Sequence, residues 1–318
     1  MRVPLALITG ASTGIGRATA LRLAAGGWTV LAGVRDLAAG ERLVADAGAA
    51  AAHASAPPSG TVPARAASGS VVAVELDVTD SAQVQAARER VEQEAARPGV
   101  SLRGGLDALV NNAGIGIGGP LELVSGEDLR RQFEVNVFAQ VAVTQAMLPA
   151  LRGAGTPGAT PAARAAGGRI VFVSSIGGRV AMAFTAPYAA SKHAIEALGD
   201  ALRVELRSSG VKVALVEPGS VATPIWDKSR AEAERVVIPP ELQDAYGRVP
   251  AAMDKVLADT ARRGVPPEQV AETIERALTE SRMKARYVVG RDARAMLIAR
   301  RLLPDLVFDR VARRALGV

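Results

Sequence analysis

Seven short apolar runs, LALIT, WTVLAG, VVAVEL, LDALV, RIVFVS, VKVALV and RYVVG, recur along the chain and alternate with longer amphipathic stretches at 14–25, 37–47, 81–95, 127–151, 188–208 and 267–279. Each run has strand length and is apolar on both faces, so it must be covered above and below, and the stretches between the runs supply the cover. Strands joined by helical crossovers run parallel. The alternation therefore predicts an α/β chain built on a doubly wound parallel sheet, one domain over residues 1–318 with a small helical extension at 291–318, broken at Pro304.

Three segments interrupt the rhythm, about 47–70, 96–105 and 153–168. They are rich in Ala, Gly, Pro and Ser, carry no periodicity, and read as solvated, mobile loop insertions between a helix and the next strand. That places them on the side of the sheet opposite the strands' carboxyl ends, where ligands bind in such folds. No run of about 18 uncharged apolar residues is present to span a bilayer, and VPLALI near the start passes at once into glycines, as a buried strand does and a leader does not. A cytoplasmic location is expected.

With no cysteine there is no thiolate nucleophile and no disulfide framework, and the two histidines, His53 and His193, are too few for a histidine-rich metal centre, so no metal is expected. His53 falls in the first insertion and reads as solvent-exposed. His193 follows Lys192 and points about 100° away on a helix, so it reads as a packing or subunit contact. The basic residues behind the net charge of +6 are spread along most of the chain, densest near the end, whereas a nucleic-acid protein usually clusters them, and aromatics make up only 3%, so stacking platforms are scarce and no nucleic acid is expected.

The first apolar run enters TGASTGIG, residues 9–16, with Gly10, Gly14 and Gly16 opening a helix. Amides at a helix N-terminus favour a phosphate, and residues without a Cβ let a pyrophosphate approach, so Gly10, Ser12, Thr13, Gly14, Ile15 and Gly16 are candidate dinucleotide ligands. Gly10, Ser12 and Gly14 also spell the GxSxG elbow of serine hydrolases. That elbow takes an oxyanion-hole amide from an earlier strand-to-helix loop, and only one strand precedes Ser12. About twenty residues on, where an NAD site has an acid, stands Gly33, followed by Arg35. An arginine fork grips a 2′-phosphate, so NADP(H) is favoured over NAD(H); the alternative is a surface arginine pairing with Asp36.

In PYAASKHA, Tyr188 precedes Lys192 by one helical turn, so both can act on one ligand. A phenol is a poor base at neutral pH, and a cation within about 4 to 6 Å can lower its pKa by about 1 to 3 units, bringing Tyr188 toward acid/base work. A hydroxyl at the end of the fifth run, Ser175 or its neighbour Ser174, could polarise a carbonyl oxygen.

These motifs, TGASTGIG, Asp77 with Val78, NNAG at 111–114, Asn136 in VNVFAQ, Ser175, Tyr188 with Lys192, and PGSVATP at 218–224, fall in the order seen in short-chain dehydrogenases/reductases, which the chain resembles over nearly its whole length. The resemblance implies a Rossmann-type NAD(P)-binding fold and an oxidoreductase. It implies Tyr188 as general acid/base, Lys192 as the charge that tunes it and binds the nicotinamide ribose, Ser175 as the holder of the substrate oxygen, and Asn136 as the holder of a water linking the lysine to solvent. Asp77 and Val78 would sit by the adenine, Asn111, Ala113 and Gly114 would line the cofactor, and Val221 and Thr223, after Pro218 and Gly219, would hold the carboxamide.

YAASKHAIEAL and VEPGSVATPIW look most like the retinol and hydroxysteroid dehydrogenase branch. Val180, Phe184 and Trp226 would join Ser175 and Tyr188 around the substrate, an apolar pocket suited to a retinoid-, steroid- or long-chain-like alcohol, ketone or aldehyde. A regulatory NADP-binding protein of the same fold is the alternative. The Arg-rich tail could lie on an anionic membrane, but packing over the pocket or a neighbouring subunit is favoured. A homodimer or homotetramer is expected.

Overall fold

A computed structural model describes residues 2–54, 69–102, 104–153, 167–225, 229–230 and 237–316, with the backbone alone at 51–54, 261, 315 and 316. The seven apolar runs form strands β1 (Leu5–Ile8), β2 (Thr29–Val34), β3 (Ser70–Glu75), β4 (Ala108–Asn111), β5 (Arg169–Val173), β6 (Lys212–Pro218) and β7 (Arg286–Val289). All pair in parallel in the order β3-β2-β1-β4-β5-β6-β7. The chain steps outward from β1 to β3, returns to the other side of β1 with β4, and steps outward again to β7. The reversal at β1 and β4 opens a crevice at their carboxyl ends.

The helices of eight residues or more are α1 (Gly14–Ala25), α2 (Leu37–Ala54), α3 (Ser81–Ala95), α4 (Gly126–Phe133), α5 (Ala139–Leu151), α6 (Ala186–Glu205), α7 (Val249–Arg263), α8 (Pro267–Thr279), α9 (Arg291–Leu302) and α10 (Asp305–Leu316). Side chains alternate across each strand and so feed two cores. Ala6 and Ile8 of β1 pack with Leu23 of α1 and Ile274 of α8, while Leu5 and Leu7 pack on the other face with Val91 of α3, Met147 of α5 and Ile195 of α6. Each such leucine or isoleucine contributes about 1.5 to 3 kcal/mol by leaving water.

Four departures from the sequence reading matter. Helix α2 continues through 47–54, because the alanine-rich start of the first insertion is a run of the best helix former. The rest of that insertion, at 55–68, the side chain of His53, and most of the third, at 154–166, lie outside the described residues. The stretch 127–151 is not one helix: a π-helical turn, Glu134–Phe138, separates α4 from α5 and carries Asn136. Helix α7 has no counterpart in the sequence reading. Its buried residues among the described side chains, Val249, Leu257 and Thr260, fall with Met253 on one face at helical spacing.

The segment 96–105 is docked, where its composition suggests a solvated, mobile loop. Val3 N donates to Gly99 O and Ser101 N donates to Val3 O, each at 2.7 Å, in an isolated parallel bridge. The buried carboxylate of Asp107 then accepts from Leu5 N at 2.9 Å and Leu102 N at 3.0 Å, fastening this segment to the start of β1. Removing those two charge-assisted acceptances leaves the Leu5 amide unpaired inside the protein. Asp107→Ala is expected to lower unfolding stability by about 3 kcal/mol in urea titration; a loss of less than about 1 kcal/mol would show that the carboxylate is not the fastener.

Candidate active site

The crevice holds one cavity of about 780 Å³, within the usual range for a ligand site. Its floor is the glycine turn. Thr9, fully buried, follows β1, and its hydroxyl accepts from the amides of Asn112 at 2.9 Å and Ala113 at 3.0 Å. Asn112 returns two bonds, Nδ2 to Thr9 O and Gly10 O, each at 3.0 Å. Gly10 (φ +65°) and Gly14 (φ +54°) take left-handed conformations that side chains avoid. A Cβ on Gly16 would fall 2.3 Å from Gly10 O and 2.5 Å from Asn112 Nδ2. The N-cap of α1, Thr13, makes no side-chain capping bond, so the first-turn amides stay open for a phosphate.

Of the expected cofactor ligands, Gly10, Ser12, Thr13, Gly14, Ile15, Arg35, Asp77, Val78, Ala113, Gly114, Lys192, Pro218, Gly219, Val221 and Thr223 line this cavity. Two do not. Gly16 lies beneath the turn, where its lack of a side chain permits the packing just described. Asn111 points to the opposite layer, where its Nδ2 donates to Thr144 Oγ1 at 2.8 Å. Its neighbour Asn112 faces the turn instead. Alternation along β4 carries the signal, since Leu109 packs in the α5 layer and Asn111 shares its parity.

Gly33 lies inside β2, where a Cβ would meet Leu76 Cδ2 at 2.9 Å, so the position has no room for an acid. Arg35 follows β2 at the cavity edge and faces Asp77, whose carboxyl is pushed up by burial but held below its ordinary value by hydrogen bonds from Thr79 and the Arg35 charge. Asp36 is engaged elsewhere: its carboxylate accepts from Ala38 N at 2.9 Å and lies 3.9 Å from Arg42.

Ser175, Tyr188 and Lys192 meet on one wall. Ser175 caps a 3-10 turn, Ile176–Gly178, accepting from Gly177 N at 3.0 Å, and its hydroxyl shares a hydrogen bond with that of Tyr188. Lys192 donates from Nζ to Val173 O at 2.8 Å and lies 5.8 Å from the centre of the Tyr188 ring. Burial raises Tyr188 above the ordinary phenol value, with the Ser175 bond acting the other way, and burial pushes Lys192 down to about 8 against the opposing charge of Glu196. The expected lowering of Tyr188 by Lys192 is therefore not seen in this state: the ammonium is turned to a backbone carbonyl and desolvation dominates.

Asn136 stands behind the wall rather than in it. Its Oδ1 accepts from Ile115 N at 2.8 Å, and its Nδ2 donates to Ile115 O at 3.0 Å and Ser191 Oγ at 3.1 Å, tying the loop after β4 to α6. His193 is exposed, with Nδ1 2.9 Å from Ala189 O of its own helix.

The substrate end differs from expectation. Val180 is buried in packing and does not line the cavity. Neither does Phe184, whose left-handed backbone (φ +65°) presents its carbonyl to Gly119 N at 2.7 Å. Trp226 lies outside the described residues. The apolar wall is built instead from Ile117, Ile225, and Met253 and Leu257 of α7, with Ser229 beside Gly116. Asp292, at the start of α9, accepts from Ser220 N at 2.8 Å and so steadies the Pro218–Gly219 loop, a contact for which the sequence carries no local signal.

Residues 4–234 match the family model described as short chain dehydrogenase. The chain is 37% identical over 236 residues to the NADPH-dependent 3-dehydrocapnine reductase of Ornithobacterium rhinotracheale, covering 74% of this chain and 77% of that one. It is 34% identical over 286 residues to human 17-beta-hydroxysteroid dehydrogenase type 1, covering 88% and 76%. The crystal structure of a short chain dehydrogenase/reductase from Burkholderia phymatum in complex with NAD superposes with a TM-score of 0.72 at 27% identity, covering 94% of this chain and 93% of that one.

The geometry separates the two serines that spacing left open. Ser175 faces Tyr188, whereas the Ser174 hydroxyl is buried beside Gly178 without a hydrogen-bond partner among the described residues. Ser175→Ala is expected to lower kcat/KM about a hundredfold or more, and Ser174→Ala by less than about threefold, in steady-state assays of the purified variants.

Proposed function

Since the chain belongs to the short-chain dehydrogenase family and is an oxidoreductase of CH–OH groups using NAD(P), we propose that it transfers a hydride between NADP(H), in preference to NAD(H), and a hydrophobic secondary alcohol, ketone or aldehyde. The observation that carries the cofactor choice is Arg35, placed at the cavity edge directly after β2 and free of Asp36, with no space for a carboxylate at Gly33. An arginine there favours a 2′-phosphate, and the relative named for NADPH is consistent with it. The substrate class rests on the apolar wall of Ile117, Ile225, Met253 and Leu257 facing the reacting groups Ser175 and Tyr188, while Glu127, Arg130, Arg131 and Glu134 also line the cavity. Long-chain, steroid-like and retinoid-like carbonyls have that shape and polarity.

The cradle fits a dinucleotide: Gly10 and Gly14 bare the turn, the amides at the start of α1 are uncapped, and Lys192 lies within the same cavity. The nicotinamide supplies or accepts the hydride. In the reducing direction Tyr188 gives its hydroxyl proton to the carbonyl oxygen, and Ser175 donates a hydrogen bond to the same oxygen. Lys192 would hold the nicotinamide ribose and offset the charge left on Tyr188. Asn136 positions the loop after β4. The proposed enzyme is a homodimer or homotetramer in the cytoplasm, and Phe138 and Val204 are exposed apolar side chains open to subunit contacts.

The protonation states fix the sign of the pH response. Tyr188, raised by burial, is a phenol across the neutral range, so reduction finds its acid already protonated. Lys192 is charged below about pH 8 and loses its proton above it. The kcat/KM for carbonyl reduction is therefore expected to be level in mildly acidic solution and to fall as pH rises through about 8. A profile still rising there would contradict the assignment.

NADPH is expected to bind about tenfold tighter than NADH or more, and Arg35→Ala to remove most of the difference, in fluorescence titration; equal affinities would overturn the NADP reading. In a panel of carbonyls and alcohols, Tyr188→Phe is expected to lose at least about a hundredfold in kcat. Turnover of polar keto acids with none of retinoids, steroids or long-chain ketones would overturn the substrate reading.

A further inference from the structure

Behind the catalytic wall, where α6 crosses β6 and β7, a set of charges is buried that the mechanism above does not use. Glu196 lies on α6 one turn beyond Lys192, and Glu217 is the penultimate residue of β6; both are buried. Arg286, at the start of β7, joins them: its Nε is 3.0 Å from Glu196 Oε2 and 3.0 Å from Glu217 Oε1, and its Nη2 donates to Asp200 Oδ2 at 2.6 Å. Arg179, after the 3-10 turn, reaches Glu217 Oε1 at 3.1 Å, and Arg203 reaches Asp200 Oδ1 at 2.8 Å. The charged groups facing Glu196 are thus Lys192, Asp200 and Arg203 from its own helix, Glu217 from β6, Arg286 from β7 and Arg179 from the loop.

Two carboxylates inside a protein cost stability even when an arginine bridges them, so packing alone does not account for the pair. Lys192 supplies a reason. It is 5% exposed, and its one hydrogen bond among the described residues goes to the neutral carbonyl of Val173. A buried ammonium without a countercharge sheds its proton. Residues four apart on a helix share a face, which puts Glu196 on the side of α6 that carries Lys192, and its Oε1 is buried without a hydrogen-bond partner among the described residues.

A Cβ on Gly178 would stand 2.8 Å from Ser174 Oγ and 3.0 Å from Glu196 Cγ and from the backbone carbonyl of Lys192, so the glycine makes room for the Glu196 side chain beside the 3-10 turn that follows Ser175. Within the acid pair, burial and the neighbouring charge of Glu196 push Glu217 up to about 7, while Arg179 and Arg286 oppose them.

We propose that Glu196 is a positioning residue for the reaction: pinned by Arg286, its buried carboxylate supplies the countercharge that keeps Lys192 a cation one helical turn away. Glu196 touches neither substrate nor cofactor and acts through Lys192 alone. The assignment is independent of which nucleotide or carbonyl the enzyme prefers.

The test is titration of the side-chain NMR signals of 13C-labelled lysine in the unliganded full chain. There are five lysines, and Lys192 is identified by the signal missing from Lys192→Arg. In Glu196→Gln the Lys192 midpoint is expected to fall by about one pH unit, with the other four unmoved. The alkaline limb of kcat/KM for carbonyl reduction should move with it. Glu196→Met, which fills similar space, should act in the same direction, and Glu196→Asp, which keeps the charge, should hold the midpoint near its original value. A Lys192 midpoint unmoved in folded Glu196→Gln or Glu196→Met overturns the proposal, as does a lowered activity plateau with the limb in place, which is the mark of a purely structural role.

Discussion

The hydroxyl of Thr9 binds together the two strand ends between which the sheet reverses direction. It accepts two amides from the chain leaving β4, while the Asn112 carboxamide returns two bonds to the chain leaving β1. Each bond contributes only about 1 kcal/mol net. Together they set how close the glycine turn lies to the NNAG segment. That closeness excludes any Cβ at Gly16, bends the turn through left-handed Gly10 and Gly14, and leaves the open end of α1 facing the cavity. The phosphate cradle is thus a consequence of how β1 and β4 are tied.

What could be read in advance followed from whether side-chain character carried the constraint. Strands buried on both faces are apolar throughout, and the partly exposed edge strands β3 and β7 keep apolar runs too, so all seven are legible, as are α1, α3 and α8. The docking of 96–105 is not, because backbone bonds between Val3, Gly99 and Ser101 leave no mark on residue type. Helix α7 does carry a helical signal, Val249, Met253 and Leu257 on one face, but it lies outside the strand–helix alternation, and its Met253 and Leu257 take the place at the apolar wall that the sequence suggests for Val180 and Phe184. The choice between Asn111 and Asn112 turns on strand parity, which a motif alone does not carry. Motif spacing did bring Ser175, Tyr188 and Lys192 to one wall, since a strand end and one helix turn leave few other arrangements.

Burial acts on the two ionisable groups of that wall in opposite directions. It raises the phenol of Tyr188 and lowers the ammonium of Lys192, in both cases favouring the neutral form. A lysine brought down to about 8 corresponds to roughly 3 kcal/mol of preference for the uncharged amine relative to water. Folding therefore works against the charge that the chemistry requires, and something within the fold has to oppose it. The Val173 carbonyl offers a dipole, and Glu196 offers a full charge from one turn away.

The linkage runs the same way. Because the folded-state value of Lys192 lies below that of the unfolded chain, holding the cation inside costs stability at pH below about 8, and the cost fades as pH rises toward the ordinary lysine range. An apolar residue at 192 would avoid that cost, and replacing the Glu196, Glu217 and Arg286 cluster by hydrocarbon could avoid its own. The chain instead keeps a buried cation, a buried acid pair and the arginine that joins them along one helix and two strand ends. Their common element is α6, which also carries Tyr188. Rigid placement on a single helix makes the countercharge, the cation and the proton donor move as one body, so that the electrostatic relation among them survives whatever the loops at the substrate end do.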